Sequence, residues 1–231
     1  MNITQNTKEV LENIYLYKNA KLALATKTHF KFKILQEALH CDKNIIIAEN
    51  RIQEAEEKIE ILNKFPHKKH FIGTLQSNKV KKAVQIFDCI ETVDSIKLLQ
   101  RINRIVKITK GEDFKFSVFL NINISEDENK SGVLPTDINN FISEIIENIK
   151  NKQLENIKIQ GLFTILKYDL SDSEKHEYYA KMKRLQIKLQ QKIPSITELS
   201  MGMSQDYKIA LSEGATIVRI GRGVFGDRKN Y

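Results

Sequence analysis

The residues of this chain that could do chemistry stand where short apolar runs end, and two glycine-containing turns near the carboxyl end are the clearest. The segment 199–204 reads Leu-Ser-Met-Gly-Met-Ser, which places two hydroxyls and a glycine at the predicted start of a helix. The segment 221–223, Gly-Arg-Gly, forms a second such turn after the next apolar run. Free backbone N–H groups and the helix dipole favour an anion at a helix start. The two turns together predict an anion site, although each glycine alone could equally serve only a tight turn.

Lys27 is the next candidate, because it directly follows the apolar run Leu22–Thr26. A lysine can attack an aldehyde when burial lowers the pKa of its ammonium and frees the amine. Lysine suits this chemistry because its pKa shifts readily, whereas arginine keeps its proton. The chain is rich in lysines, however, and a lysine that follows a strand is usually solvated. The pattern alone therefore favours a solvated Lys27.

Other polar groups at the ends of apolar runs could surround a ligand, namely Glu49 with Asn50 and the Gln-Ser-Asn segment 76–78. A G-x-G-x-x-G match over residues 221–226 would indicate dinucleotide binding only with a following helix, a strand and an acidic residue about 20 positions on. The sequence stops at Tyr231, so we interpret this match as accidental.

The histidine pair and the cysteines favour ordinary structural roles. His67 and His70 are flanked by lysines, which would repel a metal cation. Cys41 and Cys89 are far apart and match no metal or disulfide framework. We expect both cysteines to be small core or near-surface residues of a protein in a reducing compartment.

The order of the predicted elements indicates the fold. Helical periodicity separates the short β-branched runs, and a helix from about Thr4 to Lys18 precedes the first. The candidate strands are Leu22–Thr26, Ile45–Glu49, His70–Thr74, Cys89–Asp94, Phe116–Asn123, Ile157–Ile165, Ile196–Met203 and Thr216–Gly221. Eight β-α units in a chain of 231 residues predict an α/β fold, a single closed (β/α)₈ TIM barrel with an extra N-terminal helix. No composition shift marks a boundary, so we expect one domain over residues 1–231.

Helix start signals agree with this order. Ser95 and Ser204 are N-cap candidates for the helices after strands four and seven, and the segment 135–137 (Pro-Thr-Asp) opens the helix after strand five. The polar segments 125–131 and 167–173 are predicted to be longer loops.

The formal charge of +8 could indicate nucleic-acid binding, but the basic residues are spread along the chain. The dense clusters fall on predicted helices and are expected to be solvated faces. These clusters are Lys79, Lys81 and Lys82, and Glu54, Glu56 and Glu57 with Lys58. No apolar run approaches the roughly 20 residues that span a bilayer, and the N-terminus lacks a signal-peptide layout. We therefore expect a cytoplasmic protein with no dedicated nucleic-acid surface and no membrane segment.

Seven ordered motifs are spread over nearly the whole chain: Leu24–Thr28, Glu49–Asn50 with Gln53–Ala55, His70–Lys79, Asn123–Ser125 with Lys130–Gly132, Gly161–Thr164, Leu199–Tyr207, and Val218–Gly221 with Phe225–Gly226. With these motifs the chain resembles the pyridoxal phosphate homeostasis proteins, whose barrel is like the N-terminal domain of alanine racemase. Seven motifs in order are far more specific than any one of them.

The resemblance implies that pyridoxal 5′-phosphate (PLP) is the cofactor and that Lys27 holds it as a Schiff base. It also implies Arg219 near the pyridine nitrogen, where a donor without acceptor capacity leaves that nitrogen unprotonated. An unprotonated ring is a weaker electron sink, which disfavours carbanion chemistry. The cofactor-binding residues that we expect are Lys27, Asn50, Ser200, Gly202, Ser204, Arg219, Gly221 and Arg222.

The chain departs from the family pattern at four positions. Ala48 and Arg51 flank Glu49-Asn50 where the family usually has a glycine and an aromatic residue, and Phe163 stands where methionine is usual. Arg222 replaces a common threonine, so a hydroxyl contact to the phosphate is lost while the backbone N–H stays available. Whether the Arg222 guanidinium substitutes for that hydroxyl or points outward is left open by the sequence.

The leading functional hypothesis is a non-catalytic carrier, or buffer, that controls free PLP and delivers it to PLP-dependent apo-enzymes. A racemase of this fold uses a second domain across a dimer, and we expect none after the eighth strand. The alternative hypothesis is a PLP-dependent amino-acid racemase or lyase, and a basic nucleic-acid binder is a third. A closed barrel has no open sheet edge, so we expect a monomer.

Overall fold

The structure is a computed structural model that describes residues 2–26 and 31–226. Within these ranges the chain forms eight strands, and the predicted runs match them with end points that differ by at most three residues. The strands are β1 (Lys21–Ala25), β2 (Ile46–Glu49), β3 (Lys69–Phe71), β4 (Cys89–Val93), β5 (Phe116–Asn121), β6 (Ile157–Phe163), β7 (Glu198–Met203) and β8 (Ile217–Ile220).

All eight strands pair in parallel and in chain order, and β8 returns to β1, so the sheet is a closed barrel. The closing pair aligns Leu22 with Val218 and Ala23 with Arg219. Parallel pairing needs a crossover between successive strands, which the intervening segments with their helices supply. The predicted (β/α)₈ barrel is therefore confirmed.

Helices occupy most of the described connections, and a 3₁₀ turn spans Ser77–Lys79. Among the described residues, no helix is both long enough and apolar enough to span a lipid bilayer. The helices are α1 (Ile3–Tyr15), α2 (Phe32–Leu39), α3 (Ile52–Glu57), α4 (Ile59–Leu62), α5 (Val80–Ile86), α6 (Ile96–Lys110), α7 (Ile138–Lys150), α8 (Asp172–Gln190), α9 (Tyr207–Ser212) and α10 (Arg222–Phe225).

The predicted N-terminal helix is present as α1, and a polar contact ties it to the end of the barrel. Its buried face includes Val10, Leu11 and Ile14. The Asn6 side chain donates to the carbonyl of Val224 in α10 at 3.0 Å. Because α10 begins with Arg222, α1 braces the segment that follows the eighth strand.

The helix start signals are confirmed in two of three cases. Ser95 caps α6 by accepting from the N–H of Leu98, and Asp137 is the N-cap residue of α7. Ser204 does not cap the helix after strand seven, because α9 begins at Tyr207 with Asp206 as its N-cap.

The interior of the barrel holds a small apolar cluster, separate from the large core between barrel and helices. Side chains alternate in direction along a strand, so every second residue points inward. The inner cluster comprises Ala23, Ile46, Ala48, Cys89, Phe119, Phe163 and Ile217. Glu91 lies two residues after Cys89 and Arg219 two after Ile217, so both charged side chains share the inward parity. Charged side chains therefore share the inside of the barrel with this apolar cluster.

Candidate functional site

A cavity of about 380 Å³ lies at the carboxyl ends of the strands. In (β/α)₈ barrels this end carries the functional groups, because the βα loops converge there. Its wall combines apolar side chains, including Ile72, Ile165 and Met203, with the polar residues proposed from the sequence. Five of these expected residues line it: Asn50, Ser204, Arg219, Gly221 and Arg222.

The other expected site residues fall elsewhere. Lys27 lies outside the described residues, but its neighbour Thr26 is described and follows β1, whose last residue, Ala25, lines the cavity. Ser200 and Gly202 are buried and do not line this cavity. Their part in binding the phosphate stays a prediction.

Gly202 has a packing requirement of its own. Its φ of +91° lies in a region that residues with a Cβ rarely adopt, and a Cβ there would come within 2.5 Å of the Cβ of Ala210. Glycine at this position therefore lets β7 turn against α9, whatever else it does.

The turn after β8 and the turn after β7 are tied together at the cavity wall. The Ser204 hydroxyl, instead of capping α9, accepts from the N–H of Gly223 at 3.2 Å. Arg222, next to Gly223, is exposed and lines the same cavity. A hydroxyl-bearing residue, a glycine turn and an arginine thus line one cavity, and residues of these types bind phosphate.

The turn after β7 is held by a buried tyrosine. Tyr179 of α8 donates its hydroxyl to one carboxylate oxygen of Asp206 at 2.8 Å, and the other oxygen accepts from the N–H of Met203 at 2.6 Å. Burial, with Asp206 beside it, raises the pKa of Tyr179 far above its ordinary range. Asp206 is thereby committed to the turn on which Ser204 sits.

The ends of β2 and β3 approach each other closely on the opposite wall. A Cβ on Gly73 would fall 2.0 Å from the carbonyl oxygen of Asn50, so only glycine allows this approach. The Thr92 hydroxyl donates to the Gly73 carbonyl at 2.5 Å and fixes the segment from the other side. Gly73 therefore sets the position of Asn50 in the cavity wall.

Arg219 is held firmly although it carries a charge and is 4% exposed. Its Nη1 donates to the Ser200 hydroxyl at 2.9 Å and its Nη2 donates to the carbonyl of Thr164 at 2.7 Å. The guanidinium carbon lies 4.2 Å from the centre of the Phe163 ring, which is stacking distance. Burial lowers the pKa of Arg219 and the charge of Glu91 raises it, and a guanidinium keeps its proton in proteins.

A buried carboxylate that the sequence reasoning missed stands behind Arg219. Glu91 is fully buried; one carboxylate oxygen lies 2.5 Å from Nδ1 of His70 and the other accepts from the Ser200 hydroxyl at 2.5 Å. Burial raises the pKa of Glu91, but His70, Arg219 and Ser200 outweigh it and leave the pKa below its ordinary value. The parity of Glu91 with Cys89 along β4 was the available signal, because it places a carboxylate inside the barrel.

A second buried group lies where β1 ends, and it corrects the sequence interpretation of Lys58. Lys58 stands at the break between α3 and α4, and it is fully buried rather than part of a solvated helix face. Its ammonium lies 2.5 Å from the Glu49 carboxylate. The Thr26 hydroxyl donates to the same carboxylate oxygen and accepts from Lys58 at 3.3 Å. Three polar side chains thus meet here, and one of them belongs to Thr26, the residue that precedes Lys27.

Glu49 is the member of this group whose ionised form is disfavoured by burial. Burial raises its pKa to about 7, although Lys58 and Thr26 act to lower it. Its other oxygen, Oε2, is buried and has no hydrogen-bond partner in the described part of the protein.

The described residues contain no cluster of three or more histidine, cysteine or carboxylate side chains that could hold a metal ion. Cys41 is partly buried, Cys89 is buried, and both are free thiols. A cavity of about 300 Å³ opens at the other end of the barrel, with Lys21, His70 and Glu198 in its wall.

Comparison with known proteins places this architecture. The family model of the alanine racemase N-terminal domain matches residues 1–229. The solved structure of PipY from Synechococcus elongatus, with PLP bound, superposes with a TM-score of 0.83 at 32% identity, and covers 97% of this chain and 100% of that one. An alanine racemase from Clostridium difficile shares the fold alone, with a TM-score of 0.75 at 20% identity, and this chain spans 57% of its length.

Relatives at the level of sequence carry one name. A pyridoxal phosphate homeostasis protein from Synechocystis sp. is 41% identical over 184 residues, which cover 78% of this chain and 80% of the relative. A protein of the same name from Aquifex aeolicus is 35% identical over 212 residues, 91% of this chain and 88% of the relative. The chain therefore belongs to the pyridoxal phosphate homeostasis proteins, a branch of the alanine racemase N-terminal domain family.

Proposed function

We propose that this protein binds PLP covalently through Lys27 and acts as a carrier that buffers the free cofactor. The observation that carries the proposal is that Arg219, Asn50 and the turns after β7 and β8 all line one cavity at the strand ends. Ser204 lies in the first of these turns and Arg222 in the second. The naming of its relatives and the PLP-bound state of PipY support the same ligand.

The cavity fits the chemistry of this cofactor. About 380 Å³ lies in the range of small-molecule sites, and its wall is apolar with a few polar groups. The apolar residues Ile72, Ile165 and Met203 suit an aromatic ring. Cationic and hydroxyl groups, from Arg222 and Ser204, suit a phosphate, with the N–H groups of the Gly221–Gly223 turn next to them.

Bound PLP would supply an aldehyde and a pyridine ring that can withdraw electrons. Lys27 is the residue that would hold the cofactor, through its amine and that aldehyde. Thr26, directly before Lys27, is fixed by its N–H bond to the Ala48 carbonyl at 3.1 Å and by its hydroxyl bond to Glu49. Thr26 is thereby held in place at the end of β1, directly before Lys27 in the sequence.

The groups around the cavity support carriage of the cofactor rather than turnover of a substrate. Arg219 can only donate to a ring nitrogen, so it disfavours the protonated ring that stabilises a carbanion. Among the described residues that line the cavity, the acids and bases besides arginine are Asp206 and Tyr168. Asp206 is committed to Tyr179 and Met203, and Tyr168 is 70% exposed. We propose recipient apo-enzymes in the cytoplasm as partners and a monomer as the working form.

An absorbance titration of the purified protein with PLP tests the attachment. We expect an imine band that borohydride reduction abolishes and that Lys27→Ala lacks. Lys31→Ala is the matched control, because Lys31 is exposed and close in sequence. An unchanged band in Lys27→Ala would reject Lys27 as the attachment site.

A turnover assay separates carrier from enzyme. The PLP-loaded protein should not racemise or cleave common amino acids, and it should restore activity to a PLP-dependent apo-enzyme. Sustained turnover that Lys27→Ala abolishes would instead establish a racemase or lyase.

A further inference from the structure

Two opposite charges are buried inside the barrel with a hydroxyl between them. Glu91 is fully buried, Arg219 is 4% exposed, and Ser200 bonds to both. A buried charge without a partner costs several kcal/mol in practice. The arrangement of these groups is therefore under strong physical constraint.

The direction of each hydrogen bond can be assigned from the chemistry of the groups. A guanidinium only donates, so the Ser200 oxygen accepts from Arg219. The single hydroxyl proton of Ser200 then points to Glu91, which accepts it. His70 holds the other oxygen of the carboxylate at 2.5 Å. The chain from His70 to Arg219 thus has one consistent set of donors and acceptors.

These contacts fix how Arg219 faces the cavity. Ser200 takes one terminal nitrogen, the Thr164 carbonyl takes the other, and the Phe163 ring covers one face of the guanidinium. Without Ser200 one of these three restraints disappears, and a long side chain regains rotamer freedom. The position of the Arg219 guanidinium at the cavity therefore depends on its hydrogen bond to Ser200.

We propose that Glu91, held by His70 and acting through the Ser200 hydroxyl, is a positioning residue that fixes Arg219 against the pyridine nitrogen of bound PLP. The inference rests on the proposed function, since it needs a PLP ring in the cavity. It assigns Ser200 to the support of Arg219 rather than to the phosphate, because the only hydroxyl proton of Ser200 is committed to Glu91. The network keeps the ring nitrogen unprotonated and so holds the cofactor in its less reactive form.

The charge of Glu91 provides a sharp discriminator. Removing a negative charge near a base, with nothing else changed, lowers the pKa of that base. Release of Arg219 from the ring nitrogen raises the pKa of that nitrogen, because a nearby positive charge is lost. If Glu91 acts only through its charge, Glu91→Gln lowers the pKa of the ring nitrogen. If Glu91 positions Arg219, the same substitution raises that pKa. Ser200→Ala removes the anchor without changing any charge.

The experiment is a pH titration of the protein loaded with PLP labelled with ¹⁵N in the ring, followed by the nitrogen chemical shift. We expect the pKa of the ring nitrogen to rise by about one unit or more in Glu91→Gln and Ser200→Ala. Ser200→Thr, which keeps the hydroxyl, should restore the wild-type titration. Cys89→Ala is the matched control, since Cys89 is buried on the same strand and also points into the barrel.

Each outcome decides something. A nitrogen that titrates as in the wild type in both variants, or one whose pKa falls in Glu91→Gln, would overturn the positioning role. If Glu91→Gln does not fold, the Ser200→Ala and Ser200→Thr pair decides the question alone. Failure of the wild-type protein to form the borohydride-sensitive band would instead reject the proposed function, so the two failures are distinguishable.

Discussion

Several charged side chains are buried in this barrel. Outside the cavity, the pair of Glu49 and Lys58 shows best how such charges affect stability. Both side chains are fully buried and 2.5 Å apart, next to Thr26. Breaking such a pair by removing one partner typically costs about 3–5 kcal/mol, because an uncompensated charge stays buried. The pair therefore stabilises the end of β1 only while both members are present.

The titration of Glu49 should be visible in the pH dependence of stability. Its pKa is 4.5 ordinarily and about 7 in the folded protein. Between these values the folded state binds a proton that the unfolded chain does not, so the free energy of unfolding falls as pH rises from 4.5 to 7. Between pH 4.5 and 7, the free energy of unfolding of the wild type should fall by about 3 kcal/mol relative to that of Glu49→Gln.

Urea unfolding of both proteins at several pH values measures this difference. Glu57→Gln makes the same chemical change at an exposed residue of α3 and should leave the pH slope unchanged. A wild-type stability that rises relative to Glu49→Gln over the window would contradict the raised pKa.

Arg222 is one of the four positions where this chain departs from the family pattern, and it lines the cavity. A charge-assisted hydrogen bond contributes about 1.5–3 kcal/mol, and an exposed one lies at the low end. We expect Arg222→Gln to weaken PLP binding about tenfold and to leave the binding of pyridoxal, which lacks the phosphate, unchanged. Arg184→Gln on the exposed surface of α8 is the control. Equal weakening for both ligands would place Arg222 away from the phosphate.

At the scale of elements, the cavity depends on how neighbouring strands end. β3 is three residues long, and Gly73, two residues after it, lies against the Asn50 carbonyl that follows β2. Any side chain at residue 73 forces these two segments apart. The shape of the cavity wall is thus set by backbone contact, and not only by the side chains that line it.

We expect Gly73→Ala to lower the free energy of unfolding by about 1–3 kcal/mol and to weaken PLP binding as well. Gly111→Ala is the matched control in stability, since Gly111 has a φ of +98° and open space around it, in the loop that precedes β5. Backbone strain there costs about 1–3 kcal/mol without reaching the cavity. Urea unfolding and PLP titration measure both effects. Unaltered PLP affinity in Gly73→Ala would show that the contact serves stability alone.

The sequence predicted elements well where local pattern decides them. The eight strands and the Ser95 cap followed from alternation and a hydroxyl before an apolar run. Lys58 and Ser204 were misjudged, because their partners, Glu49 and Gly223, lie across the fold. The Glu91 network was missed for the same reason, since Ser200 stands 109 residues away along the chain. The cavity residues were found mainly through family motifs, and only parity along β4 hinted at what supports them.

At the scale of the whole molecule, barrel closure and net charge determine what else the surface can bind. Every strand pairs on both sides, so the barrel offers no edge to another chain. Several of the lysines that produce the +8 charge pair with acids on the surface, among them Lys82 with Glu56 and Lys107 with Glu112. Interspersed signs create weaker long-range fields than a single-sign patch.

The same surface leads us to expect only weak, salt-sensitive association with nucleic acids. Binding that rests on general charge falls steeply as salt rises, because the counterions released from the phosphates must be displaced against a higher concentration. Fluorescence anisotropy of labelled DNA and RNA oligonucleotides, from low salt to about 0.15 M, measures this dependence. We expect any signal at low salt to vanish before about 0.15 M, and PLP loading to leave it unchanged, because no described lysine lines the cavity. Saturable nanomolar binding at the higher salt would establish a specific nucleic-acid site and would require a basic surface that acts together despite its ion pairs.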